Sequence, residues 1–262
     1  RFLMRLSVGY PDRAAEVAEI GSRAAELCES GPQRYALGFT EILAHTGSGD
    51  LEAADLVRRR YASMTAGVPQ AEAIVAALTG RVELARGALT SACEHLQRAL
   101  RTMEGSLPST WTMLVSAWLA QAEGQHGNAE AAVLTLAKAE QANGPHVAAF
   151  EPELEIARAW VFAASGQTTT ARDHALSAAR IARAAEMLTM EVAALHAAVR
   201  FGDRSQAARL TQLARIIGSP MATAASAQAR GVAGHDGDLL DDAAKQFEGF
   251  GALAMAPTGQ TR

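Results

Sequence analysis

Cysteine, lysine and aromatic residues are scarce in this chain of 262 residues, and each scarcity excludes a class of protein. Two cysteines, Cys28 and Cys93, do not make a disulfide framework. Only two of the 24 basic residues are lysine, and the formal net charge of -4 argues against nucleic-acid binding through a general basic surface. No apolar run approaches the roughly 18 residues of a membrane span, and no secretory signal opens the chain. We therefore expect a cytoplasmic protein that binds neither a membrane nor nucleic acid directly.

Alanine is the residue that the chain has in excess, with 59 copies. Alanine is the best helix former, and the residues that favour strands are few, so the composition predicts an all-α fold. Glycine- and proline-containing turn signals separate segments of roughly 12 to 20 residues with helical periodicity, which indicates about thirteen helices. Five prolines are expected to open helices, where a missing N–H costs nothing: Pro32, Pro69, Pro108, Pro152 and Pro220.

A repeat accompanies these turns. The glycines predicted to separate the two helices of each hairpin are Gly49, Gly80, Gly127, Gly166, Gly202 and Gly237. Four of them are followed by alanine both five and twelve positions later, where small residues let paired helices approach: Ala85 and Ala92, Ala132 and Ala139, Ala171 and Ala178, Ala207 and Ala214. Gly87 fits the same rule and is interpreted as a coincidence.

The spacing of the repeat is close to that of tetratricopeptide units. We therefore predict one domain over residues 1–262, an α-α superhelix or solenoid of about six tetratricopeptide-like hairpins that forms a curved rod. The alternative is a compact irregular helical bundle. Because the chain begins at Arg1 and not at Met, it is interpreted as a fragment of a larger protein.

Motifs that carry chemistry are missing from the sequence. GxxxxGK[ST], GxSxG and HExxH do not occur, so no catalytic, cofactor-binding or metal-binding residue is predicted. The residues of Cys93-Glu94-His95 are adjacent and point in different directions around a helix. The acidic run near residue 240 lacks the order of a calcium loop, and Asp238 is instead expected to cap a helix. The sequence does not predict an enzyme, although an all-helical enzyme remains a third alternative.

Two further sets of residues concern packing and surfaces. Trp111 and Trp118 are seven residues apart on one helical face and are expected in the core. Arg58-Arg59-Arg60 is expected to be a solvated face. If the first helix of each hairpin lines the concave side, a groove for an apolar or weakly polar partner segment would contain Gln121, Glu153, Trp160, Thr189 and His196.

Residues 185–256 carry a more specific pattern. It reads EVAALHAAVRFGD at 191–203, AARL at 207–210, AQARGVA at 227–233 and FEGFGA at 247–252. This stretch resembles the helical region just upstream of the DNA-binding domain in large LuxR-type transcriptional regulators of actinobacteria. The preceding residues are similar only to generic tetratricopeptide-like helices.

The resemblance implies a sensor and coupling domain between a nucleoside-triphosphatase domain and a helix-turn-helix domain, neither of which this sequence contains. The expected partners are those neighbouring domains, or a protein or peptide, and the domain would carry out protein–protein or ligand-dependent regulation. The alternative function is a free-standing adaptor that binds a peptide or partner protein in its concave groove.

Overall fold

The computed structural model describes residues 33–63, 69–103 and 109–253. This part of the chain is helical and contains no β-strand, so the predicted all-α class is confirmed. The helices are α1 (Gln33–Ser48), α2 (Leu51–Ser63), α3 (Pro69–Arg86), α4 (Leu89–Met103), α5 (Ser109–Gln125), α6 (Ala129–Gln141), α7 (Glu151–Ala164), α8 (Thr168–Ala184), α9 (Leu188–Arg200), α10 (Ala207–Ile217), α11 (Pro220–Gly234) and α12 (Gly237–Gly249). A 3-10 helix, Pro145–Phe150, precedes α7.

The helices form two layers, with the odd-numbered helices inside and the even-numbered helices outside. Each odd-numbered helix packs against the next odd-numbered one, and each even-numbered helix packs against its neighbours in the chain. The burial of the side chains follows the same division. In the inner helix α9, ten of the thirteen residues are buried, whereas in the outer helix α10 only two of the eleven residues are buried. The chain is therefore a series of helical hairpins whose first helices are the inner ones.

The two ends of this series meet. In an extended solenoid each hairpin contacts only its neighbours, but here α1 also packs against α9 and α11. A Cβ atom built on Gly47 of α1 would lie 3.2 Å from the Cβ of Thr189 in α9. Leu51, which begins α2, is buried in a cluster with Met221 and Phe247. The described residues therefore do not leave the open concave face expected of a curved rod, because small inner residues let the helices approach closely enough to close the array.

Four of the predicted hairpin glycines lie in the expected turns. Gly49, Gly127, Gly166 and Gly202 have φ angles between 77° and 92°, a backbone region that favours glycine. In each turn the next residue's N–H donates to the carbonyl five residues earlier, as Asn128 does to Glu123 at 2.9 Å. This is the Schellman arrangement, which satisfies a carbonyl at the end of a helix.

The prediction for Gly80 is wrong, and so is the dismissal of Gly87. Gly80 lies within α3, whereas Gly87, with φ 81°, forms the turn between α3 and α4. A Cβ on Gly80 would lie 2.5 Å from Cγ of Leu96, so this glycine serves the close approach of two helices. Ala92 and Ala99, five and twelve positions after Gly87, are fully buried.

The alanine positions after the other turns follow the prediction in part. The two alanines after Gly127 and the two after Gly166 are fully buried. The two after Gly202, Ala207 and Ala214, are half-buried. In the last hairpin, where Gly237 has no alanine five positions later, Ala243 six positions later is fully buried. The structure therefore confirms small residues at most of the helix seams.

The N-cap of α12 is Asp236 and not the predicted Asp238. Oδ1 of Asp236 accepts a hydrogen bond from the Leu239 N–H at 3.1 Å, so Asp236 is the N-cap and Asp238 lies in the first turn. The reason is that α11 ends at Gly234, and its C-cap His235, with a left-handed φ of 53°, places the turn before Gly237. The prolines at 69, 152 and 220 open helices as predicted, and those at 32 and 108 lie outside the described residues.

Glu186 is a second non-glycine residue in the left-handed region, with φ 59°, at the exposed turn between α8 and α9. The Met187 N–H donates to the Ala182 carbonyl at 2.9 Å, so the turn has the same geometry as the glycine turns. We expect Glu186→Gly to raise the free energy of unfolding by about 1 kcal/mol, because glycine removes the steric cost of this backbone conformation. Urea unfolding measures the change, and a loss of stability would contradict this view of the turn.

At Gly124, α5 and α7 approach each other closely. A Cβ at this position would lie 2.9 Å from the carbonyl carbon and oxygen of Trp160, and backbone atoms cannot move aside as a flexible side chain can. We expect Gly124→Ala to lower the free energy of unfolding by about 1 to 3 kcal/mol, the usual cost of overpacking.

Gly234, the last residue of α11, supplies the matched control for Gly124. No atom lies within 4 Å of a Cβ built there, apart from its chain neighbours and the backbone of its own helix, and its φ is not left-handed. Gly234→Ala should be neutral or stabilising by about 0.5 kcal/mol, because alanine restricts the unfolded chain. Equal effects of the two substitutions in urea unfolding would contradict the packing described for α5 and α7.

Candidate functional site

A cavity of about 60 Å³ lies between the inner helices. All six inner helices contribute to its wall and none of the outer helices does: the lining residues are Thr46 and Gly47 (α1), Arg81, Leu84 and Ala85 (α3), Gln121 (α5), Glu153, Ile156 and Trp160 (α7), Met190, Val192, Ala193, His196, Ala197 and Arg200 (α9), and Met221 (α11). Among these residues Ala193 is exposed, which places the mouth of the cavity beside α9.

The structure brings together four of the five residues predicted for a partner groove. Gln121, Glu153, Trp160 and His196 all line the cavity. Thr189 does not line it, because its side chain packs against Gly47 where α1 meets α9. Those four residues of the predicted set therefore lie on the inner face, but around a small cavity and not along an open groove.

Glu153 is the acidic residue in the wall and is 4% exposed. Its Oε2 accepts a hydrogen bond from Nε1 of Trp118 at 3.1 Å, whereas its Oε1 is buried without a partner. Burial raises the pKa of Glu153, and the positive charge of Arg81 offsets part of that rise. A buried carboxyl oxygen without a donor is costly, so this wall is polar but incompletely satisfied.

Arg81 faces Glu153 from α3. Its Nε is buried without a hydrogen-bond partner, and its guanidinium carbon lies 5.7 Å from the ring centroid of Trp118. Burial lowers the pKa of Arg81, against the opposing effect of Glu153. Arg81 lies deep in the fold yet keeps intermediate accessible surface, which we attribute to its exposure to the cavity.

Arg200 and His196 lie one turn apart on α9. The guanidinium carbon of Arg200 is 4.6 Å from the ring centroid of Trp160, a cation–π contact, and burial lowers its pKa to about 10. The Nε2 atom of His196 lies 2.7 Å from Oε1 of Gln228. Burial and the nearby Arg200 lower the pKa of His196 to about 4. At neutral pH the arginine is therefore charged and the imidazole is neutral.

Neither the repeat pattern nor the motifs in the sequence identify Arg81, Arg200 or Gln228 as site residues. A signal exists for Arg81, because it is the one charged residue in the otherwise uncharged run AIVAALTGRV at 73–82. A lone arginine on a helix that is otherwise inward-facing must be paired, stacked or adjacent to a cavity. This lone charge predicts a buried or cavity-facing arginine only when it is known which face of α3 points inward.

The other sequence motifs do not form a site. Cys93 is half-buried, and burial, with Glu123 as a further cause, raises the pKa of its thiol to about 11, so it is a poor nucleophile. No group of three or more possible metal ligands occurs among residues 33–63, 69–103 and 109–253.

The aromatic and basic residues singled out in the sequence have mainly structural contacts. Trp111 and Trp118 both pack against Phe39, with centroid distances of 4.0 and 5.7 Å, which confirms the core prediction. The arginine run is not simply solvated. Arg58 and Arg59 pair with Asp55, and Arg60 pairs with the buried Glu41.

The comparisons with known proteins return nothing: no family model, curated protein or solved structure matches the chain. Within the described part of the chain, no helix is long and apolar enough to cross a membrane. The geometry of the cavity is therefore the main basis for a functional proposal.

Proposed function

We propose that this chain is the helical sensor and coupling domain of a LuxR-type transcriptional regulator, built as a tightly closed tetratricopeptide-like superhelix that acts in the cytoplasm. The observation that carries the proposal is that all six inner helices line one cavity. A molecule bound there contacts the first and the last hairpin together, so it changes the relative free energies of their arrangements. Domains joined to the two ends of the chain would respond to that change.

The stretch that resembles the regulator family supports the proposal. Residues 185–256 include α9, α10, α11 and α12, and the phrase at 191–203 covers most of α9 and its glycine turn. Six of the residues that line the cavity belong to α9. The most family-like part of the sequence therefore supplies the largest share of the cavity wall.

The adaptor alternative requires an open groove for a peptide. The packing of α1 against α9 and α11 occupies the space where such a groove would lie. A cavity of about 60 Å³ has room for a few atoms and not for a peptide segment. We therefore favour ligand-dependent regulation, with the neighbouring domains of the parent chain as partners.

The coding sequence on both sides of this chain tests the proposal. We expect a Walker A motif upstream and a helix-turn-helix downstream in the same reading frame. A start codon at or near Arg1 together with a stop codon after Arg262 would contradict the regulator and favour the adaptor.

A further inference from the structure

The cavity wall carries more positive than negative charge. Arg81 and Arg200 line it from α3 and α9, and among the described lining residues Glu153 is the only acidic one. His196 is neutral at neutral pH because its pKa is about 4. Charges interact strongly in an interior of low dielectric constant, so the guanidinium of Arg81, whose Nε has no partner, favours an anion over a cation in this cavity.

Arg81 has donors available for such an anion. Within the described part of the chain it makes no hydrogen bond or ion pair, and its Nε is among the buried atoms without a partner. A guanidinium group presents its N–H donors in a planar fork that matches a carboxylate.

The rest of the cavity sets the size and polarity of the ligand. Its wall includes Leu84, Ile156, Val192 and the ring of Trp160, which suit an apolar body. A water-sized group occupies roughly 10 to 15 Å³ by this measure, so 60 Å³ holds about four to six non-hydrogen atoms. A phosphate dianion leaves the apolar wall without a contact, whereas a short alkyl chain covers it.

We propose that the central cavity binds a short aliphatic monocarboxylic acid, whose carboxylate is held by Arg81 beside Arg200 and whose alkyl chain packs on the apolar wall. The proposal rests on the sensor function given above and names the chemical class of its ligand. Since the wall includes residues from α1 to α11, such an acid would hold the closed arrangement of the hairpins.

Isothermal titration calorimetry on the unmodified chain tests this assignment with three ligands of similar shape: butyrate, butyramide and butylamine. The buffer contains no other carboxylate. We expect butyrate to bind with a dissociation constant below about 1 mM, within the affinity that six atoms can supply. Butyramide should bind at least tenfold more weakly, and butylamine should not bind. Equal binding of butyrate and butyramide, or no binding of butyrate, overturns the proposal.

Three single variants locate the carboxylate. Arg81→Gln should weaken butyrate binding at least tenfold, whereas Arg183→Gln, at an exposed position of α8, should leave it unchanged. Glu153→Gln keeps the size of the side chain and removes its negative charge, so it should bind butyrate at least as tightly as the parent. Unchanged binding by Arg81→Gln, or lost binding by Glu153→Gln, contradicts the assignment even if the other variant fails to fold.

Failure of this inference differs from failure of the sensor function. If another small molecule binds in the cavity and butyrate does not, only the ligand class is wrong. If butyrate binds but the coding sequence encodes no attached domains, the cavity assignment stands and the regulator proposal does not.

Discussion

Arg209→Gln is expected to lower the free energy of unfolding by about 3 kcal/mol or more, the cost of leaving a buried charge without its partner. Glu191 of α9 is 2% exposed, and both of its carboxylate oxygens accept hydrogen bonds of 2.7 Å from Nε and Nη2 of Arg209 in α10. Arg209 also donates to Gln212 at 2.7 Å, so its fork is held in place. These bonds raise the pKa of Arg209. The pair joins α9, the inner helix that supplies the largest share of the cavity wall, to its outer helix α10.

Two controls separate this buried pair from surface electrostatics. Lys245→Gln removes an exposed pair with Asp242, whose N–O distance is 3.7 Å, and should change stability by less than about 0.5 kcal/mol. The double variant Glu191→Leu with Arg209→Met removes both charges and should recover most of the loss, because no unpaired charge stays buried. Urea unfolding at neutral pH measures all three. A loss from Arg209→Gln as small as that from Lys245→Gln would show that the pair contributes little.

Acidification should destabilise the chain through His196 by about 3 kcal/mol in total between pH 6.5 and pH 4. The folded state holds this imidazole neutral, with a pKa of about 4, whereas the unfolded chain takes up the proton near pH 6.5. Its contribution is therefore complete above the unfolded pKa and is lost as the pH falls toward the folded pKa. The physical cause is burial, and the charge of Arg200 adds to it.

A variant is needed to isolate this effect, because burial raises the pKa values of Glu41, Glu123 and Glu153 and these groups act in the opposite direction. We expect His196→Gln to show a flatter loss of stability than the parent over this pH range. His126→Gln, at an exposed turn position, should follow the parent. Parallel curves for the parent and His196→Gln would contradict the neutral, buried state of His196.

Much of the fold follows from local sequence rules. A left-handed glycine at the end of a helix and alanines at the seam are short-range features, so the turns at Gly127 and Gly166 could be predicted. Gly80 and Gly87 show the limit of such rules. Both glycines are seven residues apart in one segment, and only the contact of Gly80 with Leu96 across the hairpin shows which one lies inside a helix.

The closure of the array and the charges of the cavity could not be predicted in the same way. The contact between α1 and α9 joins residues about 140 positions apart, and no local pattern specifies it. The inner-face register did identify Gln121, Glu153, Trp160 and His196. It missed Arg81 and Arg200, because a solvated arginine and one that faces a cavity have the same sequence signature until the partner helices are placed.

Closure of α1 onto α9 is the claim on which the cavity, and hence the sensor, depends. The pair Gly47→Cys and Thr189→Cys tests it most directly in a chain whose native Cys28 and Cys93 are replaced by serine and alanine. The two Cβ atoms would lie 3.2 Å apart, a few tenths of an ångström short of the usual 3.5 to 4.5 Å of a disulfide. Mass spectrometry of the air-oxidised protein should find an intramolecular disulfide between residues 47 and 189 and none in either single-cysteine variant. Two free thiols in the folded protein would show that the ends of the array lie apart and that no enclosed cavity exists.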